Sequence, residues 1–325
     1  NAKLTQPLAY QVDVSIEAFD RQGLLRDISE VFSKEKMNVV GVVTAPDKPA
    51  GRGMQLQQSA VKQFALAHDL PILQPEKLKA PAFLEELKSY QADLQIVVAF
   101  RMLPKVVWEM PSLGTFNLHA SLLPNYRGAA PINWAIINGE TKTGVTTFFI
   151  DDKIDTGAII LAKETPIDEN ENAGQLHDRL MLLGSTTVIE TLALIEKRDV
   201  STTIQKDNPN IKTAYKLNRE NCKIDWTKPG KEIYNLIRGL SPYPSAWCII
   251  KQDNQEWNVK IHETKLHIET HHFPIGSMHT TKKEMKIAVK DGFIEICSIQ
   301  FPGKKKMTAS ELLNGMQFSA TCIAL

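Results

Sequence analysis

Leu94-Gln95-Ile96-Val97-Val98-Ala99-Phe100 is a nearly unbroken apolar run. A strand open to water on one face alternates polar and apolar residues. One covered on both faces has no need to, so this run predicts a central parallel strand over 94–100. Upstream, residues 11–19 alternate as a strand, Leu24, Leu25, Ile28, Val31 and Phe32 recur at helical spacing, and 38–44 is again strand-like. Residues 61–67 and 81–87 read as helices, 115–119 and 145–150 as strands, and 173–195 as a long amphipathic helix. Strand and helix in alternation predict a doubly wound α/β domain with a parallel sheet. From Ser201 the texture changes. Residues 201–214 are polar and contain Asp207-Asn208-Pro209-Asn210, and beyond them one helix (231–238) precedes short strands broken by turns such as Lys290-Asp291-Gly292. A small β-barrel or sandwich is expected there, with domains over 1–206 and 207–325.

The bulk numbers agree with two domains. The chain has 325 residues, 43% of them hydrophobic and 23% charged, an ordinary balance for two cores. No stretch approaches the roughly 20 apolar residues that span a bilayer. Cys222, Cys248, Cys297 and Cys322 form no CxxC pair, which suits a reducing cytoplasm better than a disulfide framework. The net charge of +1 is unevenly spread: residues 1–206 hold 21 basic and 25 acidic groups (−4), residues 207–325 hold 17 and 12 (+5). A basic second half is compatible with a phosphate backbone as partner, and equally with a solvated surface.

The chemistry concentrates in Phe116-Asn117-Leu118-His119-Ala120-Ser121-Leu122-Leu123-Pro124-Asn125-Tyr126-Arg127-Gly128-Ala129-Ala130-Pro131. Asn117 and His119 are two apart on a strand, so their side chains leave the same face. They lie at its carboxyl end, where open α/β sheets bind ligands. An amide can stabilise a developing oxyanion, and an imidazole beside it can polarise or handle a proton. Ile154-Asp155-Thr156-Gly157 then places a carboxylate on a glycine-closed turn, able to orient His119 and take a proton from an attacking amine. An isolated N-x-H is more often a strand end satisfying backbone groups. The Pro- and Gly-bracketed loop and the D-T-G turn move the reading toward catalysis.

These motifs, with the I-N-G-E-x-x-T-G-V-T stretch between them, resemble the folate-dependent formyltransferases, from about Val39 to Phe318. The resemblance implies a Rossmann-like catalytic domain followed by an open, OB-like barrel. It implies Asn117, His119 and Asp155 as catalytic residues and Ser121, Leu122, Leu123 and Pro124 as a folate-binding loop. Phe100 and Leu103, just past the central strand, would line the pterin pocket. The formyl donor would be 10-formyltetrahydrofolate, with no metal. Within the family, Thr44-Ala45-Pro46-Asp47-Lys48-Pro49-Ala50-Gly51-Arg52-Gly53 resembles the loop of the branch that formylates initiator methionyl-tRNA, in which it reaches the acceptor end. Lys48 and Arg52 would contact tRNA there. Ile224-Asp225-Trp226 and the segment Ile237 to Trp247 resemble the start of the family's barrel, and Phe301-Pro302-Gly303-Lys304-Lys305-Lys306 its end, where Lys304, Lys305 and Lys306 would add tRNA contacts. A cytoplasmic monomer is expected, taking part in translation initiation and not in any membrane.

The opening departs from that pattern. Where the family has a short strand and a G-T-P-x-F-A turn, residues 10–32 resemble the start of an ACT domain of stringent-response GTP pyrophosphokinases. A strand over 11–19, a turn at 20–23, a helix over 24–36 and a strand over 38–44 have suitable lengths for a first βαβ unit, so 11–19 is expected to join the sheet beside 94–100. Two other functions remain open: formyl transfer to a sugar nucleotide or another small amine, and an ACT-like regulatory ligand-binding module. His262, His267, His271, His272 and His279 are dense but lack fixed ligand spacing, which favours ordinary strand histidines over a metal site.

Overall fold

A computed structural model describes residues 11–16, 38–50, 55–98 and 102–325, which form two compact units. The first takes the described residues up to Arg127 together with Gly144–Glu164 and Leu180–Ile211; the second takes Gly128–Thr143, Thr165–Arg179 and Lys212–Leu325. Among the described residues no helix is long and apolar enough to cross a membrane.

The first unit is built on a seven-stranded sheet in the order Ile159–Pro166, Lys142–Phe149, Thr115–His119, Leu94–Val98, Gln11–Ile16, Asn38–Val43, Ile72–Leu73. All five residues of Leu94–Val98 are buried, as an apolar run without alternation requires. Gln11–Ile16 lies between Asn38–Val43 and Leu94–Val98 and is parallel to both, with Val12 opposite Val39 and Leu94. The opening strand therefore belongs to the same sheet as the central strand, as its length suggested. The helix expected over 24–36 and the turn at 20–23 lie outside the described residues.

From Ile72–Leu73 to Thr115–His119 the sheet is parallel. Lys142–Phe149 then enters antiparallel, with Phe149 opposite Phe116 and Thr146 opposite His119. The helix Ala173–Glu196 comes down closely on Thr115–His119: a Cβ at Gly184 would stand 2.8 Å from Leu118 Cδ2. Hydroxyls of Thr147 and Thr191, 2.7 Å apart, pin the same helix to the neighbouring strand.

In the second unit, Met278–Thr280, Met285–Val289, Gly292–Gln300, Gln255–Ile268, Ala246–Gln252 and Ile323–Ala324 follow one another in an antiparallel sheet. Its two ends meet again where Ser277 bridges Ile323 and Met278 N donates to Cys322 O at 3.1 Å. The barrel expected to be open is thus nearly closed. Closure leaves no long free edge. Alternate residues Ile250, Val259, Ile261, Ile287, Ile294 and Ile299 are fully buried inside it, and Ile233 and Ile237 of the helix Gly230–Gly239 join the same cluster. Arg238 on that helix is also buried, but satisfied: it donates to Asn235 Oδ1 (2.9 Å) and Glu171 O (2.8 Å). Burial pulls its guanidinium below the usual arginine range.

Three of the five barrel histidines have ordinary partners. His267 pairs with Glu295 at 2.6 Å, His271 donates to the carbonyls of Val289 and Gly292 and packs tilted against Phe293, and His279 lies 3.0 Å from Ser277 Oγ. His262 is buried, 3.3 Å from Ser245 Oγ, and burial lowers its pKa. All four cysteines are free thiols, and burial pushes Cys248 up to about 12 and Cys322 to about 11.

Candidate active site

Thr115–His119 ends in the site. Asn117 pairs in register with Val97 on one side and Phe148 on the other, and His119 is the strand's last residue, only 7% exposed. Asn117 Oδ1 is buried and has no hydrogen-bond partner among the described residues. An orphaned buried carbonyl oxygen costs about 1–3 kcal/mol, so a polar atom brought in by a ligand has something to satisfy here.

The His119 ring is held at Nε2, which lies 2.8 Å from the carbonyl oxygen of Tyr126. A carbonyl can only accept, so Nε2 carries a proton. Tyr126 has φ +61, a left-handed conformation that a bulky residue adopts only when its surroundings impose it. The backbone strain at Tyr126 thus accompanies a fixed tautomer of His119. That leaves Nδ1 as the nitrogen available for chemistry, and Asp155 Oδ2 faces it at 3.7 Å. This distance is too long for a hydrogen bond and short enough to become one when Nδ1 gains a proton.

Asp155 reaches His119 by a detour the linear motif does not reveal. Because Lys142–Phe149 runs antiparallel, its end lies beside Thr115, to whose carbonyl Ile150 N donates at 2.9 Å. The chain must then climb back along the sheet. Thr156 Oγ1 donates to Asp151 across this return, and Asp155 sits in a left-handed conformation with φ +55.

The loop over Ser121–Pro124 is tied down by hydrogen bonds. Ser121 is fully buried; its Oγ donates to Asn125 O at 2.7 Å, while its carbonyl accepts from Thr146 Oγ1, also at 2.7 Å. Thr146 Oγ1 accepts in turn from Leu123 N at 3.2 Å. Leu123 is buried; Leu122 and Pro124 are half-buried. Leu103 is half-buried and packs against the core cluster of Val43, Phe83, Leu87 and Val107, while Phe100 lies outside the described residues.

Lys48 opens the strand Lys48–Ala50, which pairs antiparallel with Gln55–Gln57. Arg52 lies outside the described residues. The residue before this strand is tied down: Asp47 accepts from Lys62 Nζ (2.6 Å) and Gln74 Nε2 (2.9 Å), and those bonds hold its carboxyl below the usual carboxylate range. Lys304, Lys305 and Lys306 are exposed on a turn whose Lys304 N donates to Phe301 O at 3.1 Å. Sequence reasoning missed Lys62, Gln74, Gln205 and the Tyr126 carbonyl, because each acts through a contact distant in the chain or through the backbone.

Comparison with known proteins agrees with this geometry. The formyl transferase family model matches residues 18–192, and the formyl transferase C-terminal domain model matches residues 216–317. A methionyl-tRNA formyltransferase of Flavobacterium johnsoniae is 68% identical over 292 residues, 90% of this chain and 93% of that protein. One from Bacteroides thetaiotaomicron is 53% identical over 287 residues, covering 87% of this chain and 89% of the relative. Among solved structures, a sugar 3N-formyl transferase, WlaRD, crystallised with dTDP and 5-N-formyl-THF, superposes with a TM-score of 0.63 at 21% identity, over 92% of this chain and all of its own. HypX from Aquifex aeolicus in complex with tetrahydrofolic acid gives 0.62 at 18% identity, over 94% of this chain and 46% of that one. At such identities the two structures share the fold. The family models and the high-identity relatives show more: the chain belongs to the formyl transferase family, in its methionyl-tRNA formyltransferase branch.

Proposed function

We propose that this enzyme moves a formyl group from 10-formyltetrahydrofolate to the amino group of initiator methionyl-tRNA, in support of translation initiation. In this reading residues 1–206 carry the chemistry and 207–325 help to hold the tRNA. The observation that carries it is the His119 ring, with Nε2 committed to Tyr126 and Nδ1 turned to Asp155, on the same strand as the unpartnered Oδ1 of Asn117.

The folate donor supplies a formyl carbon bound to nitrogen and activated for attack. The residues present fit such a group, since the orphaned Asn117 Oδ1 lacks a donor that an attacking amine would bring. Asn117 Oδ1 orients the amine, and its Nδ2 stabilises negative charge growing on the formyl oxygen. An α-amino group has a pKa near 8, so part of it is protonated at neutral pH and the attack must shed a proton. His119 Nδ1 and Asp155 Oδ2, 3.7 Å apart, receive that proton between them and pass it toward the departing nitrogen. Ser121, Leu122, Leu123 and Pro124, with Phe100 and Leu103, form the folate side. Lys48, Arg52, Lys304, Lys305 and Lys306 meet tRNA phosphates.

Acceptor choice tests this reading. With 10-formyltetrahydrofolate as donor, methionyl-tRNA should be formylated at a kcat/KM far above that of an amino-sugar nucleotide. Equal or reversed preference would overturn the tRNA assignment and leave a sugar-directed enzyme in its place.

A further inference from the structure

Gln205 sits in the polar stretch that reads as a plain linker, yet its side-chain amide is used at both ends. Nε2 donates to the backbone carbonyls of Asp155 (3.0 Å) and Gly157 (2.8 Å), the first and last residues of the D-T-G turn. Oε1 accepts from Arg127 Nε (3.1 Å) and Nη2 (2.9 Å). Arg127 is itself anchored through Nη1 to Asp207 at 2.8 Å and is only 15% exposed. That pairing holds the Asp207 carboxyl below the usual carboxylate range.

The orientation of the amide follows from its neighbours. A guanidinium has only donors and a carbonyl only accepts, so Oε1 must face Arg127 and Nε2 must face the turn. The turn needs holding, because Asp155 occupies a left-handed conformation that residues other than glycine usually avoid. From inside the loop, Asp151 grips Thr156; from outside, Gln205 grips the carbonyls on either side of Thr156.

We propose that Gln205, locked by Arg127, is a positioning residue that sets the distance and direction of the Asp155 carboxylate toward His119. The proposal rests on the reading of Asp155 and His119 as the proton-handling pair, and goes beyond it by assigning the linker a part in catalysis. Gln205 touches no reacting atom; it acts through the backbone of the turn.

Gln205→Glu is the variant that separates the roles. It is isosteric and keeps two acceptor oxygens for Arg127, but it loses both donors and sets a carboxylate against two carbonyls. Single-turnover formylation of methionyl-tRNA, with enzyme in excess, should slow about 10- to 100-fold, the scale of a displacement near 1 Å at a reacting group. KM for tRNA and for the folate donor should stay near normal while the rate–pH profile changes shape, a change that a merely structural role would not produce. In an Asp155→Asn background Gln205→Glu should add little further loss, since both act on one group. An unchanged rate and pH profile in Gln205→Glu, or the same loss in the Asp155→Asn background, overturns the proposal while leaving the catalytic pair standing. Full activity in Asp155→Asn alone overturns the pair and the proposal together. Should Gln205→Glu fail to fold, Arg127→Met frees the amide to rotate and must show the same rate-selective loss; a normal rate there counts against the proposal.

Discussion

Gly157→Ala offers a quantitative test of how tightly the Asp155 turn is placed. A Cβ built on Gly157 would lie 1.7 Å from the carbonyl oxygen of Phe149 and 2.9 Å from its carbon. Real Cβ contacts essentially never fall below 3.0 Å, so the turn must retreat by more than 1 Å. The obstacle is backbone and not a flexible side chain, and Phe149 is held in place: its N donates to Ala158 O at 3.0 Å and it pairs with Phe116. The 3.7 Å separation between His119 Nδ1 and Asp155 Oδ2 leaves no room for such a movement if the two are to share a proton. A displacement of about 1 Å at a reacting group costs about 100-fold in rate. Overpacking at a backbone contact should also cost about 1–3 kcal/mol of stability. Circular dichroism and a denaturant titration establish that the variant folds, and initial rates on methionyl-tRNA at saturating donor then give kcat. A folded Gly157→Ala enzyme with near-normal kcat would refute the reasoning, and with it the claim that the turn's position matters.

The remaining predictions concern the barrel and its partner. Burial raises the Glu295 pKa, but the hydrogen bond from His267 and the charge of Lys265 outweigh it, and the net pKa lies below the usual glutamate value. A depressed folded-state pKa gives stability that is complete above the unfolded-state value near 4.3 and is lost as pH falls through the folded one. Denaturant midpoints measured from pH 6 downward should therefore fall more steeply for the native chain than for Glu295→Gln, and parallel curves would count against this assignment. Replacing Lys304, Lys305 and Lys306 by alanine should raise KM for tRNA with little change in kcat, and each lost phosphate contact should reduce the log–log salt slope by about 0.7–0.9. An unchanged salt slope would remove that turn from the tRNA-binding surface, and Arg52→Ala can be judged by the same measurement.

Much of this architecture is written locally in the chain. The apolar run at 94–98 announced a doubly covered strand, because burial on both faces abolishes alternation. Asn117 and His119 were identifiable because a period of two puts both on one face at a strand end. Strand direction was not legible: the Lys142–Phe149 pattern reads the same whether parallel or antiparallel, and only the register with Thr115–His119 decides it. Barrel closure depends on Ser277 meeting Ile323, and the support of Asp155 on Gln205, fifty residues away; neither leaves a trace in local composition. The orientation of His119 hangs on a backbone carbonyl, which every residue possesses and no side chain advertises. The histidine cluster misled in the other direction, dense in sequence but, for His267, His271 and His279, dispersed into separate partnerships with Glu295, backbone carbonyls and Ser277.

The most direct test of the account is the single-turnover rate at which the purified chain, with 10-formyltetrahydrofolate, forms formyl-methionyl-tRNA, measured beside folded Asn117→Ala, His119→Ala and Asp155→Ala. Acid-gel separation of formylated from unformylated tRNA reads the product. The account predicts ready formylation by the native chain and a loss of about 100-fold or more in each variant, the scale of removing an oxyanion donor or an acid–base group. Absence of product from the native chain, or a near-normal rate in any one of the three variants, would contradict it.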